Sequence, residues 1–174
     1  MQAALISGQP YPQVDLRKLG GGTLRLGRPA SADWHLIFVY RGLHCPICKG
    51  YLAELENMLE DFTRIGIEVV VVSGDPAPKA AKMVAETGLS APMGHDLSVA
   101  QMRELGLYVS TPRSEKETDR PFPEPGLFLI NPKGDLHMVD ISNAPFLRPD
   151  LKKLPSRIAY VLENDYPIRG THTD

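Results

Sequence analysis

Two stretches of this chain are apolar without alternation, and the elements around them follow from that. "HLIFVY" (His35 to Tyr40) and "IEVVVVSG" (Ile67 to Gly74) lack a period of two, so each predicts a strand buried on both faces. Between them Leu52, Leu55, Leu59 and Phe62 recur at steps of three and four, one face of a helix. Pro46 suits the first helical position and Gly66 the end. Asp75 is placed to cap a second helix over "PKAAKMVAETG", which stops near Gly88, and "SVAQMRELG" predicts a short third. Strand, helix, strand, helix at these lengths implies right-handed crossovers and a parallel core.

The flanks are less regular. Residues 1–33 are turn-rich, with three consecutive glycines before the alternating Thr23 to Leu26; they predict a small hairpin or an arm packed on the domain. Leu107 to Pro125 is charged and proline-rich and reads as a long exposed loop. "GLFLINPKGDLHMVDIS" predicts two strands joined by a tight turn at Asn131 to Gly134. Leu154, Ile158 and Val161 give a last helical stripe that begins near Pro155, with Leu151 in the preceding turn. The tail, 164–174, carries no readable pattern. His95 and Asp96 fall in a polar turn as helix caps, His137 faces solvent in a strand, and Trp34 packs in the core or at an interface.

At 174 residues the chain suffices for one domain with its own core, and a net charge of −2 gives no footprint for nucleic acid. No apolar run is long enough to span a bilayer. The start, "MQAALISGQPYPQVDLRK", lacks a charged segment followed by a sustained apolar one, so the expectation is a cytoplasmic protein acting away from membranes. Two cysteines are too few for a disulfide scaffold.

Both cysteines lie in "YRGLHCPICKG". A buried strand ends near Tyr40 and a helix starts near Pro46, which puts Cys45 at the carboxyl edge of the sheet and at a helix N-terminus. The free N–H groups and dipole there favour a thiolate. Cys48 is one turn on, and His44 and Lys49 add hydrogen-bonding or cationic groups. Cys45, first and more exposed, is then the attacking thiolate and Cys48 the thiol that closes the disulfide. Other readings stand beside this one: two incidental thiols, or a metal held by His44, Cys45 and Cys48, which lacks a fourth ligand within the chain. "CPICK" has no histidine for c-type haem attachment.

Strand, "CPIC", long helix, apolar strand, helix and then "EPGLFLINPKGDLH" resembles a thioredoxin fold. More narrowly, "VVVVSGDPAPKAAKMVAETGLSAPMGHDLSVAQMRELG" and "GLFLINPKG" are similar to the alkyl hydroperoxide reductase/thiol-specific antioxidant family, the peroxiredoxin-like proteins. The tail "RPDLKKLPSRIAYVLENDYPIRGT" resembles that of bacterial members carrying CPxC. The resemblance covers about residues 34–163. It implies a single thioredoxin-like α/β domain over 1–174: a central mixed sheet, helices on both faces, and peroxiredoxin-type elaborations.

It also implies thiol redox chemistry through Cys45, with departures. The family's Pro-x-x-x-Thr-x-x-Cys pattern has Phe38 at the proline position and Gly42 at the threonine position here. The arginine expected just before the "GLFLI" strand is replaced by Pro125. Arg41, Arg113, Arg120 and Arg148 are the arginines available to substitute. Pro125 matches instead a proline that is cis in thioredoxin-like exchangers and opens backbone groups to a partner's extended chain. Glu124, Pro125 and Gly126 thus form a candidate substrate groove. Tyr40, Arg41, His44 and Pro46 are candidates for lining the site or tuning the thiolate. The implied activity is disulfide exchange, ahead of reduction of hydrogen peroxide or alkyl hydroperoxides. A non-catalytic binding module of the same fold is the rival of another class. The implied partners are a disulfide or peroxide substrate, a thioredoxin-like dithiol reductant and a second copy of the chain. The only cofactor expected is the Cys45–Cys48 disulfide itself.

Overall fold

The computed structural model describes residues 5–173. The chain forms β1 (Val14–Lys18), β2 (Thr23–Leu26), β3 (Trp34–Val39), α1 (Pro46–Arg64), β4 (Ile67–Val72), α2 (Ala77–Thr87) and β5 (Met93–His95). It continues with α3 (Val99–Glu104), β6 (Val109–Ser110), β7 (Phe122–Pro123), β8 (Gly126–Ile130), β9 (Leu136–Ile141) and α4 (Leu154–Glu163). A seven-stranded mixed sheet runs β2-β1-β5-β4-β3-β8-β9. β3, β4 and β5 are parallel, and β8, β9 and the β1–β2 hairpin run antiparallel to their neighbours. This is a thioredoxin-like α/β fold with helices on both faces.

The unbroken apolar strands are explained by a core on each face. Leu36 and Phe38 of β3 and Val69 and Val71 of β4 pack under α1, α2 and α4. Ile37 and Val39, with Val70 and Val72, pack on the other face with α3, the β1–β2 hairpin and Tyr11. On α1, the stripe Leu52, Leu55 and Phe62 is fully buried, each worth about 1.5–3 kcal/mol of transfer free energy. Gly88 ends α2 in the left-handed region (φ 72°), where a side chain would be strained.

The register gathers three connections at one edge. Val39, the last residue of β3, lies opposite Val72, the last of β4, and Gly126, the first of β8. The chain leaving β3 (Tyr40 to Cys45), the chain leaving β4 (Ser73 to Asp75) and the chain entering β8 (Glu124, Pro125) therefore meet over the α1 N-terminus.

Several local expectations are corrected. Asp75 does not cap α2: the N-cap is Pro76, which makes no side-chain cap, and Asp75 Oδ2 instead accepts the Leu43 N–H at 2.7 Å. His95 ends β5 rather than a turn, and Ser98 caps α3 through a capping box with Gln101. His137 is half-buried, its ring edge-on to Trp34 at 5.0 Å, because the C-terminal tail folds back over β9. The segment 107–125 is not simply an exposed loop. Its two ends pair as β6 and β7, Phe122 is buried, and Thr118 is buried where Lys79 Nζ reaches it at 3.2 Å. The tip, Arg113–Lys116, is exposed, as are Tyr108, Thr111, Asp119 and Pro121 along the stem. Charge and proline content hid a stem whose few apolar residues close over the cysteine edge.

Candidate functional site

Cys45 is the N-cap of α1, in extended conformation, and its Sγ accepts the Cys48 N–H at 3.3 Å. A cysteine thus stands where Ser or Asp usually cap, and negative charge on its sulfur satisfies a free helix donor. Burial differs from expectation: Cys45 is 1% exposed and Cys48 0%, so Cys45 is not the open thiol assumed from its place in the chain. Both are free.

Arg41 is the group beside Cys45. Its positive charge favours the Cys45 thiolate, and its guanidinium lies 4.8 Å over the Phe122 ring. Glu124, 3% exposed, holds it from behind: Arg41 Nε to Glu124 Oε2 is 3.0 Å. That contact is a charge pairing without an aligned N–H, since neither atom has a hydrogen-bond partner of good geometry. Ser110 Oγ donates to the other Glu124 oxygen at 2.6 Å, so β6 fixes the carboxylate that fixes the arginine.

These neighbours separate the two thiols. The Cys45 thiol is pulled down from 9.0 to about 6. Donation from the Cys48 S–H is the largest cause; burial opposes it, and the Cys48 N–H and Arg41 add to it. Burial pushes the Cys48 thiol far up, helped by its bond to Cys45, while Arg148 pulls the other way. The pair therefore shares one proton near neutrality, and that proton sits on Cys48.

The other candidate residues divide. His44 is half-buried against Phe122 (4.5 Å between rings). Burial and then the Arg41 cation lower its pKa to about 4, so it is neutral at pH 7. Lys49 turns away to Glu86 at 2.5 Å and supplies no charge to the thiolate. Tyr40 is buried, its hydroxyl aimed at Met93 Sδ (3.5 Å), and it borders a small enclosed cavity with Tyr51, Pro125 and Arg148. Pro46 and Ile47 are exposed beside the cysteines.

The groove expectation is corrected in its geometry. There is no cis peptide among the described residues, so Pro125 is trans. Glu124 N–H donates to Tyr108 O at 2.8 Å, Pro125 O accepts from Ser142 N at 3.1 Å, and Gly126 pairs within the sheet on both sides. Those backbone groups are occupied by the protein itself. A side chain at Gly42 is also excluded: φ is 149°, and a Cβ would lie 2.9 Å from both Asp75 Oδ1 and His44 Nδ1.

Of the four arginines, Arg41 reaches Cys45 and Arg148 reaches Cys48, with Arg148 Nη2 to Cys48 Sγ at 2.8 Å. Arg113 and Arg120 pair with Glu117 and Asp119 away from the thiols. Phe122, Ser110, Asp75 and Tyr51 were not anticipated. Only Tyr51 carried a signal, lying three residues after Cys48 on the same side of α1. Among the described residues no cluster of three or more His, Cys, Asp or Glu could hold a metal ion. A wide cleft lies at the other end of the sheet, beside Trp34 and Glu68, and its lining includes neither cysteine.

A model of the AhpC/TSA family matches residues 7–139, most of the chain and both cysteines. The chain belongs to that family. It is a peroxiredoxin-like thiol oxidoreductase. No curated protein matches by sequence. Among solved structures, it superposes on a cysteine-to-serine mutant of the Peroxiredoxin 6 of Arenicola marina with a TM-score of 0.76 at 17% identity, covering 92% of this chain and 74% of that one. Peroxidoxin BcpB from Mycobacterium tuberculosis gives 0.71 at 16% identity, covering 92% and 97%. Mycobacterium tuberculosis AhpC gives 0.74 at 14%, covering 94% and 96%. These likenesses establish the shared fold. No helix among the described residues is long and apolar enough to cross a membrane.

Proposed function

We propose that this protein is a two-cysteine peroxidase acting on hydrogen peroxide or small alkyl hydroperoxides. The Cys45 thiolate attacks the distal peroxide oxygen. The O–O bond breaks, the alkoxide or hydroxide takes a proton and leaves, and Cys45 becomes a sulfenic acid. Cys48 then displaces hydroxide, which leaves as water, to give an intramolecular disulfide, and an external dithiol protein returns the pair to the reduced state.

The observation that carries this reading is Arg41, held by the buried Glu124 where its charge favours the Cys45 thiolate. A fixed cation at the nucleophile is what a peroxide needs, because negative charge develops on both oxygens as the bond lengthens. Near-complete burial of Cys45 supports a small substrate over a protein chain, and so do the occupied backbone groups at Glu124 to Gly126. The missing threonine weighed toward exchange in the sequence. Gly42 has no room for that side chain, so the loss belongs to the local backbone and not to the substrate.

Disulfide exchange is the second reading, favoured by the low Cys45 and high Cys48 pKa values across a CxxC at a helix start. The test is chemical. Cys48→Ser treated with one equivalent of hydrogen peroxide should accumulate a sulfenic acid at Cys45, trapped by dimedone and located by mass spectrometry. Wild type should instead yield the Cys45–Cys48 disulfide. Absence of the adduct, with ready formation of mixed disulfides, would move the assignment to exchange. Turnover of neither substrate would make the chain a binding module.

A further inference from the structure

Arg148 is an arginine turned inward without an acid. Among the described residues it pairs with no carboxylate, and its Nε is buried without a partner. Its one side-chain hydrogen bond goes to a sulfur, Cys48 Sγ at 2.8 Å. Two contacts hold it there. The guanidinium lies 4.9 Å over the Tyr51 ring, and the Tyr51 hydroxyl donates to the carbonyl of Pro149, the next residue, at 2.9 Å. Tyr51 and Cys48 share one side of α1, so the helix presents the thiol and the ring that carries its cation together. A desolvated guanidinium with an unpaired donor is costly. Surface exposure would remove that cost, and the loop between β9 and α4 that bears Arg148 has Phe146 and Leu147 in solvent on the same turn.

We propose that Arg148 activates the resolving thiol: once Cys45 has been oxidised, its guanidinium stabilises Cys48 as a thiolate for attack on the Cys45 sulfur. In the reduced protein Cys48 keeps its proton, because that proton is donated to the Cys45 thiolate. Oxidation to the neutral sulfenic acid removes that negative charge. Burial alone then holds the Cys48 proton, and Arg148 is the charge opposing it. The order of events is built in: Cys48 cannot ionise easily until Cys45 has reacted.

In the closing step the Cys48 Sγ–Cys45 Sγ bond forms and the Cys45 S–O bond breaks. The proton lost by Cys48 leaves with the hydroxide as water. Cys48 is oxidised by the sulfenic sulfur, which is reduced, and no other reactant is required. Arg41 and Arg148 thus divide the work, one cation per sulfur. The role rests on the proposed chemistry only for its sulfenic acid; the same activation applies to a mixed disulfide at Cys45.

Two measurements on the full chain test this. In the first, wild type and Arg148→Gln are mixed rapidly with hydrogen peroxide, then quenched with dimedone at increasing times. Oxidation of Cys45 should stay within about twofold, while disulfide closure at pH 7 slows by about tenfold or more, the expected consequence of removing a nearby cation from a thiol. The deficit should shrink as pH rises, and Arg148→Lys should recover part of it. In the second, Cys48 is titrated in a Cys45→Ser background by the pH dependence of its alkylation by iodoacetamide, read by mass spectrometry. Arg148→Gln should raise the midpoint by about one unit or more. An unchanged midpoint, or closure and oxidation slowed equally, would overturn the role. If wild type fails to react with peroxide, the peroxidase reading falls, and the Cys48 titration still decides the role of Arg148.

Discussion

Removing the Arg41 charge tests which part of the chemistry it serves. A single Arg41→Gln would strand the buried Glu124 carboxylate, at a cost of about 3–5 kcal/mol. The informative variant is therefore Arg41→Gln with Glu124→Gln, which takes both charges away. The drop in the Cys45 thiol from 9.0 to about 6 amounts to about 4 kcal/mol, and Arg41 ranks behind the two Cys48 donors among its causes. Assigning Arg41 about one unit of that drop, the variant would titrate near 7, and its thiolate fraction at pH 7 would fall from about nine-tenths to about half. Thiolate population alone therefore costs about twofold at pH 7 and nothing at pH 9. If Arg41 also polarises the O–O bond, a deficit on the order of 10²-fold persists at pH 9, the scale seen when one fixed donor is removed from a developing anion. Second-order oxidation rates of the reduced protein by hydrogen peroxide, measured by stopped flow from pH 5 to 9, separate the two. Wild-type rates in the variant at pH 9 would refute the role in bond polarisation and leave Arg41 only as a tuner of the thiolate.

Three further outcomes are expected. In wild type, a thiol pKa depressed to about 6 means the thiolate is present above that pH and lost below it, so peroxide reactivity should be level above about pH 7 and fall about tenfold per unit below 6. A rate still climbing at pH 8.5, near a free thiol's pKa, would contradict the depression. Gly42→Thr, which installs the family's residue, should lower stability by about 1–3 kcal/mol through backbone strain alone, read as a fall in Tm, and should not raise peroxide reactivity. Phe122→Ala should free the Arg41 and His44 side chains that pack on its ring next to Cys45, speeding the reaction of Cys45 with a bulky aromatic disulfide more than with hydrogen peroxide. Equal changes for both reagents would show that Phe122 does not gate access.

Much of this architecture was legible because burial leaves a periodicity. The apolar runs of β3 and β4 and the stripe of α1 specify a covered sheet, and that order places Cys45 at a helix start. The Asn131 to Gly134 turn was equally plain, with Asn131 Oδ1 accepting two backbone N–H groups and Gly134 at φ 88°. What the pattern could not carry was contact across sequence distance. Arg41 beside Cys45 could be guessed from adjacency, but Glu124 as its counter-charge depends on β8 lying against β3. Arg148, one of the arginines available to replace the family's, contacts the other sulfur, Cys48, from a hundred residues along the chain. The stem of 107–125 does not show in the pattern because its buried residues, Phe122 and Thr118 among them, are outnumbered by charges that face solvent. Exposure was misjudged for a similar reason: position at a sheet edge says where a thiol is, and only the covering residues say what can reach it.

The central claim is that a covered, arginine-held Cys45 is built for small hydroperoxides. Its most direct test is a pair of second-order rate constants for the fully reduced protein at pH 7, one with hydrogen peroxide and one with a protein disulfide such as that of insulin. Oxidation by peroxide far faster than a free thiol of matched pKa, with slow reaction toward the protein disulfide, is the predicted result. Peroxide oxidation no faster than that free thiol, with rapid exchange, would contradict it.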